Sequence, residues 1–451
     1  MRKLTFFCAC LFLAIPCVAD TFTHHRTGES FNGYAVQRKK GNKTQVRVEG
    51  KPPQYLDLSA YEIRYNYLGR KNKIFIFSIK DSIDFICETE AFEKAIGEAA
   101  NQGPLFILIE IDTPGGRIDL TKRICAAITK IDNCRTVAFV NGGKFNGGKP
   151  RILPSRNEKQ TPAVGGAFSA GAIIALACDN IYMREGTSIG AATVIVTSSS
   201  GITDLKSGYG ETVGEKMSSA WRAYCSAVAE HRNRPGLLAK AMVDKDIEIL
   251  EVVENGERFF IELKNKKPTQ SVVRILSDKG SLLTLTAGEA VQCGIADKVV
   301  ASRDELFADL SATKATLIRD TATSKARREF EQDEQKFKKI LLSITSLEEQ
   351  AATFAKEVAA LEEIISRDHK VIYHNGIWSD GWYRATYSER EEQYNPTAIN
   401  EFFEKGDQCL KVLRALKKDY EKALLLAKKH PDLHHHVRTI EKGLNFCRSY
   451  I

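Results

Sequence analysis

The sequence predicts an α/β domain built on parallel strands, with a small β-unit before it and an α-helical, coiled-coil hairpin after it. Three observations carry this. Between residues 71 and 302, short apolar runs alternate with segments of helical period, the mark of βαβ units. Residues 20–70 hold only short, partly alternating runs punctuated by Gly and Pro, which read as β-strands and turns. Residues 303–451 carry apolar side chains at spacings of three and four with charges around them, the pattern of a heptad seam.

Size and composition agree. A chain of 451 residues exceeds one ordinary core, so several domains are expected. Hydrophobic residues make up 43% and charged residues 27%, which suits a packed core and excludes wholesale disorder. The net charge is +8, but the basic runs Arg38-Lys39-Lys40 and Lys264 to Lys267 have no aromatic stacking platform beside them. No nucleic-acid partner is expected.

Residues 1–19 read as a secretory signal peptide. Arg2 and Lys3 precede an uncharged stretch from Leu4 to Val18, and the small residues Cys17 and Ala19 stand at −3 and −1 of a cut after Ala19. The stretch is shorter than the roughly 20 residues of a membrane span, and no later one is long and apolar enough. A soluble periplasmic or secreted mature protein is expected. The cysteines beyond the signal are Cys87, Cys125, Cys134, Cys178, Cys225, Cys293, Cys409 and Cys447. None forms a Cys-x-x-Cys pair, so neither a zinc site nor any other metal or cofactor is expected. Cys409 with Cys447 is a candidate bridge. His24-His25 and His434-His435-His436 read as surface histidines.

In the first unit, strands are expected at 31–37, 44–48, 54–57 and 61–67. In the α/β region, strands at 74–79, 105–111 and 136–140 alternate with helices at 88–101 and 118–131. Leu105 to Ile111 is nearly continuous apolar sequence, as in a buried sheet. Residues 141–163 are rich in Gly, Lys and Pro and read as an exposed loop, a lid or a passive insertion; 198–214 reads as a second loop. A helix follows at 215–230. Asn255-Gly256 marks a hairpin between 247–253 and 258–263, and Thr286-x-x-Glu289 a capping box. Ile295 to Val300 closes the sheet. Beyond, Phe337, Ile340, Ile344, Leu347, Ala351, Phe354, Val358, Leu361 and Ile365 form one seam. Residues 371–394 interrupt it, Asn395-Pro396 opens a second helix, and Cys409, Leu413, Leu416, Tyr420, Leu424 and Ala427 continue a similar seam. Its expected role is structural or oligomeric.

Candidate chemistry centres on Ser169, the only polar side chain between Gly165 and Cys178 and surrounded by Gly and Ala. It is either a helix N-cap or a nucleophile on a tight turn. Gly115 and Gly116, after a buried strand, can present unobstructed amides to an oxyanion, and the amide of Ala170 is a natural second donor. For the base, Lys216 shares a helical face with Ala220, Ala223 and Ala227. Close packing on that small-residue face would desolvate the ammonium and favour its neutral form; the alternative is a surface lysine. A Ser-His pair would need His231 or a more distant histidine.

Six segments in order resemble one family: Lys80 to Asp84, Glu110 to Gly116, Gly166 to Ala172, Gly186 to Ala192, Ala241 to Asp246 and Leu285 to Ala290. Residues 73–300 are similar to the protease domain of the NfeD-type membrane-bound serine proteases, relatives of ClpP and signal peptide peptidase A. The resemblance implies a ClpP/crotonase-like spiral domain and a Ser-Lys dyad of Ser169 and Lys216, the latter on the helix before Arg232-Asn233-Arg234. It also implies an oxyanion hole at Gly116 and Ala170. The family continues into membrane helices and a β-barrel, whereas this chain continues into a helical hairpin, so a membrane-protein substrate is left open.

The expected function is an exported serine endopeptidase, with a polypeptide substrate and at least a homodimer. The alternatives are a crotonase-like thioester enzyme and a non-catalytic ClpP-like assembly protein whose helical tail binds partners. The expected division is 1–19 signal, 20–70 β-unit, 71–302 protease domain and 303–451 helical hairpin.

Overall fold

The computed structural model describes residues 20–40, 42–48, 52, 54–64, 71–142, 165–198, 201–379 and 384–451. Residues 1–19, read as a signal peptide, and most of the stretch 141–163, read as a loop, lie outside the described residues. The chain divides into two compact units, residues 1–324 and 325–451.

The first unit opens with five strands: β1 (Asp20–His24), β2 (Ser30–Lys40), β3 (Lys43–Val48), β4 (Gln54–Leu56) and β5 (Tyr61–Arg64). They pair antiparallel in the order β4-β3-β2-β1-β5. Sequence reading leaves out β1, whose single large apolar residue is Phe22. That side chain is fully buried and stacks on Phe31 with ring centroids 5.1 Å apart.

The chain then alternates as expected through β6 (Lys71–Lys80), α1 (Ile86–Asn101), β7 (Pro104–Asp112), α2 (Ile118–Thr129) and β8 (Arg135–Val140). It continues through β9 (Gly166–Phe168), α3 (Ala170–Leu176), β10 (Asn180–Arg184) and β11 (Ser188–Gly190), three short strands that sequence reading leaves out and the helix after Ser169. A small hairpin, β12 (Ile195–Ser198) with β13 (Gly201–Asp204), and α4 (Leu205–Tyr209) occupy the stretch read as a second loop. Next come α5 (Glu211–His231), α6 (Gly236–Val243), β14 (Ile249–Glu254), β15 (Glu257–Glu262), β16 (Ser271–Ser277), β17 (Thr284–Thr286), α7 (Ala287–Gln292), β18 (Lys298–Val300), α8 (Arg303–Asp309) and β19 (Thr316–Arg319). The β14–β15 turn places Asn255 and Gly256 at φ 54° and 84°, as a tight hairpin requires. Thr286 and Glu289 close the capping box that starts α7.

Six strands form one parallel sheet in the order β18-β10-β8-β7-β6-β19. Alternate residues of a strand point to opposite faces, and the core divides accordingly. Phe75, Phe77, Ile107, Ile109 and Ile111 lie with the α1, α2 and α3 side chains. Ile74, Ile76, Phe106 and Leu108 pack with Leu306, Phe307 and Leu310 of the α8 region. The sheet therefore does not close at Val300. Residues 303–319 cover its second face and add its edge strand, because Leu306, Phe307 and Leu310 supply the apolar cover that this face would otherwise lack.

The second unit holds most of α9 (Ala322–Asp368), then β20 (Lys370–Ser379), β21 (Arg384–Gln393), α10 (Pro396–Lys429) and α11 (Val437–Tyr450). The interruption at 371–394 is an antiparallel hairpin with Lys370 opposite Gln393. Ion pairs and hydrogen bonds between Asp333 and Lys429, Ser343 and Asp419, and Glu357 and Lys405 run α9 and α10 in opposite directions. Phe337, Ile344, Leu361, Leu413, Leu416 and Tyr420 are buried, so the seam faces inward, and Ile440 and Leu444 of α11 are buried too. Cys409 and Cys447 are both free thiols; the candidate bridge is not made.

Candidate active site

The site starts where β7 ends. Ligands of parallel sheets gather at the carboxyl ends of the strands, and Thr113-Pro114-Gly115-Gly116 leaves β7 at that edge. Thr113 forms a parallel bridge with Ala167: its N–H donates to the Gly166 carbonyl at 3.0 Å and its own carbonyl accepts from Phe168 at 3.1 Å. The segment before Ser169 is thereby laid beside the glycine loop.

Ser169 stands between β9 and α3 at φ 53°, ψ −120°. A non-glycine residue with this backbone costs on the order of 1–3 kcal/mol and persists only where its surroundings impose it. They do so here. The Ser169 N–H donates to Gly190 O at 2.9 Å, and every residue of α3 is buried. The Ser169 side chain makes no capping bond to its helix, which sets aside the N-cap reading. Ser169 is half-buried.

Gly115 fits against it with no room to spare. A Cβ on Gly115 would lie 2.5 Å from Ser169 Cβ, 2.8 Å from Ser169 Oγ and 3.3 Å from the Ala170 nitrogen. Its φ of 118° also lies outside the ordinary range for a side-chain-bearing residue. A Cβ on Gly116 would meet the Ile83 carbonyl oxygen at 2.4 Å. The loop and the serine turn thus touch backbone against side chain, as an oxyanion pocket beside a nucleophile requires.

The donors are not equivalent. The Gly115 N–H donates to Thr113 Oγ1 at 3.1 Å, and the Thr113 hydroxyl in turn donates to the Asp81 carbonyl. The Gly115 amide is therefore occupied in holding the loop, and its contribution is its missing side chain. Gly116 bridges Ile83 through its neighbours, since Ile83 N–H donates to Gly115 O at 2.9 Å and Arg117 N–H to Ile83 O at 3.0 Å. Of the amides expected as oxyanion donors, Gly116 and Ala170 are left as candidates. Sequence reading missed Thr113, a hydroxyl just ahead of two glycines.

Lys216 lies near the start of α5 and is exposed, as are Ala220, Ala223 and Ala227. The alanine face expected to pack closely is a solvent face. The inward face instead carries Gly214, Trp221, Cys225, Ser226, Val228 and Ala229, because Trp221 and Val228 bury more apolar area than alanine methyls can. Trp221 fixes this orientation by donating from Nε1 to Ala192 O at 3.0 Å. Lys216 is thus not packed under a neighbouring helix, and no hydrogen bond joins it to Ser169 among the described residues. A nearby lysine, Lys206, pairs with Glu211 at 3.0 Å and Glu215 at 3.3 Å, and these carboxylates raise its pKa, which holds it charged.

His231 ends α5, and the next residue, Arg232, donates to Ala177 O at 2.9 Å, at the C-terminal end of α3. Ser169 is at the opposite end of that helix, about 12 Å from Ala177 at 1.5 Å per residue. Burial and the Arg232 charge lower the His231 pKa, but its place removes it from the serine. The buried cysteines are inert in the same sense, with burial pushing the Cys125 thiol up to about 12. Among the described residues no group of three or more His, Cys, Asp or Glu side chains could hold a metal ion, and no helix is long and apolar enough to cross a membrane.

Residues 160–272 match the family model of the NfeD1b N-terminal domain. The chain is 24% identical over 260 residues to the membrane protein NfeD1b of Bacillus subtilis (strain 168), covering 58% of this chain and 46% of that protein. It is 26% identical over 179 residues to the membrane-bound protease PH1510 of Pyrococcus horikoshii, covering 40% of this chain and 34% of that one. The chain thus matches less than half the length of these curated relatives. Among solved structures, an alanine variant of the 1510-N membrane-bound stomatin-specific protease aligns over 56% of this chain and 98% of its own, with 21% identity and a TM-score of 0.38. The chain is homologous to NfeD1b and to the PH1510 protease.

Proposed function

We propose that this homologue of a membrane-bound protease is itself a serine endopeptidase, with Ser169 as nucleophile and Lys216 as base. The observation that carries the reading is the conformation of Ser169: a strained backbone, a side chain not used as a cap, and the glycine loop in contact with it. Strain maintained at a serine beside backbone amides has a use in acyl transfer. Sequence similarity to PH1510 points the same way.

In this reading the Ser169 oxygen attacks a peptide carbonyl and its proton passes to the neutral Lys216 amine. The amides of Gly116 and Ala170 hold the oxyanion. The C–N bond then breaks, the lysine returns the proton to the departing amine, and an acyl-serine remains. Water, deprotonated by the same amine, releases the acid and restores Ser169. A polypeptide laid across the turn would cover the exposed start of α5 and so supply the desolvation that the helix packing does not. Activity should rise toward alkaline pH, since only the deprotonated amine serves.

The reading extends to an exported, oligomeric enzyme: N-terminal sequencing of the secreted protein should begin at Asp20, and its mass in solution should be at least that of a dimer. The exposure of Lys216 favours one rival, a non-catalytic scaffold that has kept the fold. Peptide cleavage by purified protein separates them. Wild-type should cleave, and Ser169→Ala and Lys216→Arg should both be inactive, whereas His231→Ala should keep most activity. Activity retained by Ser169→Ala would end the proposal.

A further inference from the structure

The Arg232-Asn233-Arg234 turn joins the end of α5 to the end of α3. Arg232 donates from Nε to Ala177 O at 2.9 Å and from Nη1 to Asp179 Oδ1 at 2.6 Å. Arg234 donates from Nη1 to Cys178 O at 2.9 Å, from Nη2 to Asp179 O at 3.1 Å, and from Nε to Ile295 O at 2.9 Å. Asn233 adopts φ 56°, a left-handed conformation that asparagine tolerates better than most residues. It turns the chain sharply enough for both neighbours to reach the same helix end. The acceptors are themselves anchored in the sheet. Asp179 Oδ2 accepts from the Thr136 N–H at 2.7 Å and hydroxyl at 2.9 Å, and Asp297 Oδ2, which accepts from Arg234 Nη2 at 3.3 Å, also accepts from the Ile181 N–H at 2.6 Å.

These bonds hold the turn that leaves α3. The acceptor carbonyls of Ala177, Cys178 and Asp179 follow the last helical residue, Leu176, and guanidinium forks satisfy several at once in fixed geometry. The helix is also built from small residues, Ala170, Gly171, Ala172 and Ala175 among them. Its large side chains, Ile173, Ile174 and Leu176, are packed in the core, and its end contacts add a hold along its own axis. One end is held where the Ser169 N–H meets Gly190 O, the other by the two arginines. A small slide of α3 would move Ser169 against Gly115, where no slack exists.

We infer that Arg232 and Arg234 are positioning residues, which set the place of the Ser169 turn relative to α5 and so of the nucleophile relative to Lys216. The inference rests on the proposed Ser-Lys chemistry for its catalytic consequence, but the mechanical part stands on the hydrogen bonds alone.

The test compares the full-length chain with Arg232→Ala, Arg234→Ala and Arg232→Lys. The control is Arg123→Ala, whose guanidinium pairs with Glu93 on α1. Two readouts are taken below the unfolding temperature of every variant. Hydrogen exchange should quicken in residues 170–178 of the Arg→Ala variants and stay at wild-type level in the control. A fluorophosphonate probe should label Ser169 on the order of tenfold to a hundredfold more slowly at saturation, as for a misplaced reacting group, with its half-saturating concentration unchanged. Arg232→Lys should recover part of both. Should Arg234→Ala fail to fold, the Arg232 pair carries the test. Wild-type exchange in 170–178, or unaltered labelling in folded variants that only melt earlier, would overturn the inference and leave the arginines purely structural. An unlabelled wild-type would sink the serine-protease reading instead, while the exchange data would still decide whether the clamp exists.

Discussion

Around Ser169 the chain is fixed by backbone atoms in close approach; in α9 and α10 it is fixed by side chains repeated along a seam. At the first place Gly115, Gly116 and the Ser169 turn leave no space for a single added carbon. At the second, Phe337, Ile344, Leu413 and Leu416 are buried at helical spacing, while Leu342 and Leu425, beside them in sequence, are 73% and 72% exposed. The two regions should therefore respond to mutation by different rules. In one, function fails with little change in stability. In the other, stability falls in proportion to burial.

The largest effect should come from Ser169→Ala, which removes the nucleophile. Peptide cleavage should drop by several orders of magnitude, while the melting temperature stays close to wild-type because a methyl fits the same turn. Gly115→Ala comes next. Its Cβ collides with Ser169, and overpacking of this kind typically costs about 1–3 kcal/mol, with left-handed strain added. Denaturant unfolding should show the loss and labelling of Ser169 should fall with it. A normally stable, normally labelled Gly115→Ala would mean that the contact does not constrain the turn.

In the helical unit, Leu416→Ala should cost about 2–5 kcal/mol in denaturant unfolding without altering cleavage, and Leu425→Ala less than about 0.5 kcal/mol. Equal costs at the two positions would show that the inward seam is misassigned. The smallest effect is electrostatic. Lys336, Lys429 and His430 all bond to the Asp333 carboxylate, and these bonds hold its pKa well below the usual carboxylate range. A depressed carboxylate pKa stabilises the fold fully above the ordinary value and loses that contribution only as pH falls through the folded-state value. Asp333→Asn should therefore lower stability at neutral pH, and the gap between variant and wild-type should close only below about pH 4. A gap that closes near neutrality would place the effect elsewhere.

What the sequence disclosed follows the same division. Apolar periodicity made β6, β7, β8, β18 and both long helices legible, and Asn255-Gly256 the hairpin, because each depends on local pattern; the internal strand β10, five residues long, was not legible. The serine turn was legible too, since one hydroxyl amid Gly and Ala is conspicuous. The orientation of α5 was not. Spacing groups Lys216 with Ala220, Ala223 and Ala227, but it equally groups Trp221, Cys225 and Val228, and the larger side chains took the interior. Weighing volume as well as period would have chosen correctly. The edge strand β19 and the helix α8 were hidden by a composition change at Ser302, although Leu306, Phe307 and Leu310 are what the sheet's second face needed. The clamp on α3 was beyond reach, because its acceptors are backbone carbonyls from residues more than fifty positions away.

The central claim is that Ser169 is an activated nucleophile and not a serine in a tight turn. The most direct measurement is to incubate folded full-length protein with a fluorophosphonate probe, digest it, and locate the adduct by mass spectrometry. One adduct per chain on the peptide containing Ser169, lost in Ser169→Ala and faster at higher pH, is the predicted result. An unmodified Ser169 in protein that is demonstrably folded, or an adduct mapped to a different residue, would contradict it.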